Sequence, residues 1–141
     1  MADDQSSVLL IEGEYGQGAY GPTVKLWLKS ADGAKQLQEL FTRARRTREP
    51  IDVMLQPHVR IDGVEQLRLI PESGMGPHSQ LRCINQGEKG GIFEWCATSA
   101  GWSVLAGLVD PFVKGHPGHQ YLTSEVHDDA LIETSYGEAS R

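Results

Sequence analysis

The chain has 141 residues, 39% hydrophobic and 23% charged, enough to build one self-sufficient core in an ordinary soluble balance. Its longest apolar stretch is a few residues, as in Val8-Leu9-Leu10-Ile11, so no segment reads as a membrane span. The net charge is −6, and residues 71–141 carry four basic against nine acidic side chains; this argues against nucleic-acid binding, which needs cations to displace counterions.

The opening MADDQSS is acidic, with no basic leader and no apolar core, and predicts a cytoplasmic protein. Val8 to Glu14 reads as a strand, followed by the glycine run GQGAYG and a second strand at Thr23 to Lys29. In the second strand Val24, Leu26 and Leu28 alternate with Lys25, Trp27 and Lys29, the period of a half-buried strand. Ser30 can cap the next helix, with Asp32 in its first turn, and Ala34, Leu37, Leu40, Phe41 and Ala44 form one apolar stripe. Arg43, Arg45, Arg46 and Arg48 load its C-terminal end, and Glu49-Pro50 stops it.

Ile51 to Ile61 and Val64 to Ile70 flank Asp62-Gly63, a favoured hairpin turn that would set Arg60 opposite Glu65, with Pro57 marking an edge or a bulge. After the loop PESGMGPHS, Gln80 to Gln86 and Gly91 to Thr98 form a second hairpin about Gly87 to Gly90. Symmetry about that turn places Cys83 opposite Cys96 and Ile84 opposite Trp95, with Ile84, Phe93, Trp95 and Ala97 facing the core. The two cysteines lack C-x-x-C spacing and read as reduced structural residues. Ser99 would cap a second helix carrying Trp102, Leu105, Val109 and Phe112, and strands at His119 to Thr123 and Ala130 to Tyr136 close the chain.

The expected fold is therefore α+β: a single domain over 1–141, fraying at 1–6 and 138–141, in the order ββαββ-ββαββ. It would hold one antiparallel sheet of about seven to eight strands with two helices on one face.

Gly16, Gly18 and Gly21 match G-x-G-x-x-G, the spacing of loops that wrap phosphates. A dinucleotide site needs a helix after the glycines, and here Pro22-Thr23 and a strand follow. A kinase-type loop does sit between strands, but no H-R-D or D-F-G motif accompanies it, and there is no G-K-[ST] triplet. The run reads as a turn, with Tyr15, Gly16, Gly18, Tyr20 and Gly21 available as a recognition loop.

His116 and His119 in KGHPGHQYL fall short of the three or four converging ligands zinc requires, so no metal and no cofactor is expected. Neither cysteine sits at a helix N-terminus, no G-x-S-x-G elbow exists, and Glu94 and Glu133 read as surface acids. TRARRTRE reads as a complement to the helix dipole, and no aromatics interleave with it to stack on bases. Together these features predict a protein that binds rather than catalyses.

From Tyr121 onward the acids Glu125, Asp128, Asp129, Glu133 and Glu138 interleave with Tyr121 and Tyr136. Tyrosines beside carboxylates suit a protein-binding surface, because aromatic anchors supply affinity and charge steers the encounter. The candidate partner-binding residues are Tyr121, Glu125, Asp128, Asp129, Glu133 and Tyr136. Replacing Asp128 and Asp129 with Ala should then weaken binding and leave the fold intact.

The run from GWSVLAGLVDPF through GHQYL to DDALIETSYGE resembles the C-terminal part of small bacterial toxin-immunity families. The resemblance implies a compact cytoplasmic α+β protein that occludes a cognate toxin without catalysis, and the acidic surface implies a basic toxin domain as partner. Two other expectations stand beside it: a small-ligand or nucleotide-binding domain using Gly16 to Gly21, and an oligomeric scaffold pairing exposed sheet edges.

Overall fold

Alternation along the first two strands builds the first hairpin. In the computed structural model, which describes residues 8–124 and 127–137, β1 (Ile11–Gly18) pairs antiparallel with β2 (Gly21–Leu28). Ile11, Val24, Leu26 and Leu28 enter the core, while Lys25 and Trp27 take the other face. Helix α1 (Ala31–Thr47) follows, its first turn capped by the Ser30 hydroxyl, which accepts from Gly33 N. Its expected apolar stripe is buried throughout, and Arg48 ends it in a left-handed conformation, φ 60°.

The expected strand over 51–61 is broken. β3 (Ile51–Asp52) ends where the Asp52 carboxylate accepts from Met54 N at 2.9 Å and nucleates a 3-10 turn, Val53–Leu55. The chain then passes Pro57, which cannot donate to a ladder, before β4 (Val59–Asp62) resumes. Asp62-Gly63 is not a hairpin turn. Gly63 alone, at φ 81°, turns the chain from β4 in one sheet to β5 (Val64–Glu72) in the other, so that Ile61 and Val64 both reach the core. Arg60 accordingly does not face Glu65; its Nε lies 3.6 Å from Asp62. Glu65 instead accepts from Lys89 N at 3.0 Å, in the turn of the next hairpin.

That hairpin is β6 (Ser79–Gly87) with β7 (Gly90–Thr98), joined by Glu88 and Lys89. The tighter turn and an irregularity between Cys83 and Asn85 shift the expected register: Cys83 faces Phe93, Leu81 faces Trp95, and Gln80 faces Cys96. Odd and even positions thereby separate the two thiols onto opposite faces, and Ile84 is pushed outward, half of its surface exposed, instead of joining Phe93, Trp95 and Ala97 in the core. Both cysteines are free; burial pushes the Cys96 thiol up, reinforced by the neighbouring Glu72 carboxylate.

Helix α2 (Ser99–Val113) is capped by Thr98, not Ser99, because the Thr98 hydroxyl accepts from Gly101 N at 3.1 Å. Trp102, Leu105, Val109 and Phe112 are buried as their spacing predicts. β8 (Gly118–Tyr121) and β9 (Leu131–Tyr136) complete the described chain.

The nine strands form two mixed sheets, not one antiparallel sheet: a five-stranded sheet ordered β4-β1-β2-β9-β8 and a four-stranded sheet ordered β3-β5-β7-β6. Parallel pairing enters because β4 joins β1, β9 joins β2, and β5 joins β7. The two sheets and both helices enclose one core, in which Phe41 of α1 stacks on Trp102 of α2 at 6.0 Å and meets Trp95 of β7 edge-on at 5.3 Å. Gln38 ties the helices by donating to Ala106 O at 3.0 Å and to the Asp110 carboxylate at 3.1 Å. The Gln38 amide and then Lys114 hold the Asp110 carboxyl below its ordinary value. No helix among the described residues is long and apolar enough to cross a membrane.

The two helix glycines Gly101 and Gly107 should respond oppositely to alanine. A Cβ at Gly101 would strike the carbonyl of His78, whereas at Gly107 nothing lies within 4 Å. Gly107→Ala is expected to stabilise by up to about 1 kcal/mol through helix propensity. Gly101→Ala is expected to cost about 1–3 kcal/mol through overpacking, the two being read from paired denaturant melts.

Candidate interaction surface

The five-stranded sheet has one face on the core and one outside it, and its register decides which side chains share the outer face. Glu14 pairs with both Asp62 and Lys25, Lys25 with Glu133, and Glu133 with Tyr121. Because paired residues point to the same side of a sheet, Asp62, Glu14, Lys25, Glu133 and Tyr121 stand in one line across all five strands. A second line, two residues along, holds Arg60, Glu12, Trp27, Ser135 and His119. Within it Lys29 Nζ lies 3.1 Å from Glu12 Oε1.

The glycine run ends this surface. β1 and β2 continue through it to the last pair, Gly18 with Gly21, leaving Ala19 and Tyr20 as a two-residue turn. Gly16 is paired with Thr23 in the ladder, and Gly21 takes φ 118° at the turn's exit. The strands leave no helix N-terminus and no loop of free amides of the kind that binds phosphate. Tyr20 is exposed at the tip, and its ring meets Tyr121 edge to face at 6.5 Å.

The residues predicted from sequence therefore separate into three groups. Tyr20, Tyr121 and Glu133 converge on the outer face. Tyr15 and Tyr136 turn to the core side: Tyr15 meets Phe93 edge-on at 5.0 Å, and Tyr136 packs on Phe112 at 6.3 Å. Burial raises the Tyr15 phenol above its ordinary value, with Cys83 adding to the effect.

Asp128 and Asp129 form the third group, and they serve the fold. Asp128 Oδ1 accepts from Leu81 N at 2.5 Å, and its Oδ2 accepts from Ser124 N at 2.7 Å. Asp129 Oδ2 accepts from Cys83 N at 2.8 Å, while Asp129 N donates to Leu81 O at 3.0 Å. The pair thus satisfies the open edge of β6 with carboxylates where a neighbouring strand would otherwise lie. Glu125 falls outside the described residues, as do 1–6 and 138–141.

His116 and His119 do not assemble a metal centre with other side chains: among the described residues no three His, Cys, Asp or Glu come together closely enough to hold an ion. His119 lies on the outer sheet face, opposite Ser135, while the His116 amide donates to Pro111 O at 2.9 Å.

Sequence reasoning missed Glu12, Glu14, Lys25, Trp27 and Asp62 as members of a shared surface. Their signal is the period-two alternation of β1 and β2, which gives the face of each residue. Their neighbours across β4 and β9 follow from parallel pairings that no local turn encodes. Scans against family models, curated proteins and solved structures gave no match for this chain.

Proposed function

We propose that this protein works by binding another protein, through the outer face of its five-stranded sheet at the Tyr20–Tyr121 end. The observation that carries this reading is the line of cross-strand partners that sets Tyr121 beside Glu133, Lys25 and Glu14, with the exposed ring of Tyr20 against Tyr121. Two aromatic rings on a rigid sheet lose little side-chain entropy on binding and can anchor an interface, while the flanking carboxylates accept from cationic groups. The partner is a basic protein domain, and the resemblance to toxin-immunity families makes it a toxin that this chain occludes in the cytoplasm without catalysis.

The test is capture of partners on the tagged full-length protein from its native cells, followed by titration of the retained protein. A single basic partner released by salt, whose association slows as ionic strength rises, is expected. Tyr121→Ala should weaken binding by about 30-fold or more, the scale of a hot-spot residue, and Glu133→Lys should mainly slow association. Both variants should keep the parent near-UV circular dichroism. Unchanged affinity in the double variant would remove this face from the proposal.

A further inference from the structure

The two halves of the chain repeat one another in detail that the sequence alone does not display. Each begins with a hairpin closed by a two-residue turn between glycines, Gly18 and Gly21 in one and Gly87 and Gly90 in the other. Each hairpin runs into a helix capped by a hydroxyl, Ser30 or Thr98, with glycine three residues later, Gly33 or Gly101. At both glycines a Cβ would strike the carbonyl of the residue preceding the hairpin, Leu10 or His78. Those two carbonyls also accept equivalent backbone bonds, from Lys29 N at 2.9 Å and from Thr98 N at 3.0 Å. After each helix comes a short strand antiparallel to the last strand of its half, β3 on β5 and β8 on β9.

The last strands are exchanged. β5 of the first half pairs parallel with β7 of the second, and β9 of the second half pairs parallel with β2 of the first. Neither hairpin is completed by its own half, and the aromatic centre is shared likewise, Phe41 from one half lying against Trp95 and Trp102 from the other. We infer that the chain is a tandem duplication folded as a strand-exchanged dimer within one polypeptide, so that each half is a binding partner for the opposite half of a second copy as well as for its own.

The connection between halves is residues 73–78, in which Met75 is 98% exposed. Glu72 and Ser79 flank β7 near the same end, opposite Thr98 and Ala97, so this connection crosses two strand spacings, about 10 Å. Deleting 73–77 leaves one residue between them, a reach of roughly 7 Å. Each half must then complete itself on another chain. The expected product is a dimer of twice the monomer mass by light scattering, with the near-UV spectrum of the parent; a folded monomer would overturn the inference. A second variant carries a specific protease site inserted after Met75 in the full chain and is cut once folded. The cut protein should remain a one-to-one complex whose Tm rises with concentration. Halves that separate and each keep a cooperative melt, or a Tm independent of concentration, would equally overturn it.

Discussion

Trp102→Ala is expected to remove about 3–5 kcal/mol of stability, the cost of deleting a large buried aromatic ring. For a chain of this size that corresponds to a fall in Tm of roughly 10–15 °C. Trp102 is 1% exposed and sits where α1, α2 and β7 meet, stacked on Phe41 and 6.4 Å from the ring of Trp95. The cavity would open between elements contributed by both halves, and little can move in to fill it. Trp102→Phe separates packing from polarity. The Trp102 indole N–H is buried without a hydrogen-bond partner among the described residues, so phenylalanine keeps much of the contact and relieves an unsatisfied donor. Its cost should be less than half that of alanine. Equal losses in paired urea melts would show that ring size at this position is not what holds the halves together.

The second large effect concerns the carboxylates that close the edge of β6. Asp128→Ala removes the acceptor of Leu81 N and leaves a part-buried amide unpaired, a loss of about 1–3 kcal/mol. Asp129→Ala should cost less, because the bond from Cys83 N is exposed and water can replace the carboxylate. The double variant is expected to lower stability and to speed hydrogen exchange at the Leu81 and Cys83 amides. Asp128→Asn, which keeps an acceptor oxygen, should recover part of the loss. If the double variant melted like the parent and exchanged no faster, these residues would return to the candidate binding surface.

Helix α1 is legible in the sequence because its signals are local: Ser30, the apolar spacing from Ala34 to Ala44, and the arginines before Glu49-Pro50 lie within one element. β2 is legible for the same reason, its alternation needing no knowledge of its neighbours. Asp62-Gly63 carries an equally strong local signal, yet it is misleading. The same dipeptide serves a hairpin turn or a corner, and only the competing demand to bury Ile61 and Val64 from two different sheets decides between them. Asp128 and Asp129 mislead in another way, since an acid pair looks identical in sequence whether it faces a partner or caps a strand edge 46 or 47 residues away. The surface line through Tyr121, Glu133, Lys25, Glu14 and Asp62 draws on five strands, and three of its members are brought together by parallel pairing. Tyr20, Tyr121 and Glu133 can be picked out one at a time by residue type; their meeting is a property of the topology.

The pairing of β9 with β2 also bears on how the protein is made. β2 is complete in sequence by Leu28, but the strand that flanks it in the sheet ends at Tyr136. During synthesis, at about 5–20 residues per second, more than 100 further residues must be added before that neighbour exists. Throughout that interval the first hairpin has an unmatched backbone edge, and the nascent chain depends on whatever shields it at the ribosome. Native structure should therefore arise only around chain termination, and ribosome-bound chains stalled before Leu131 should remain sensitive to protease along β2.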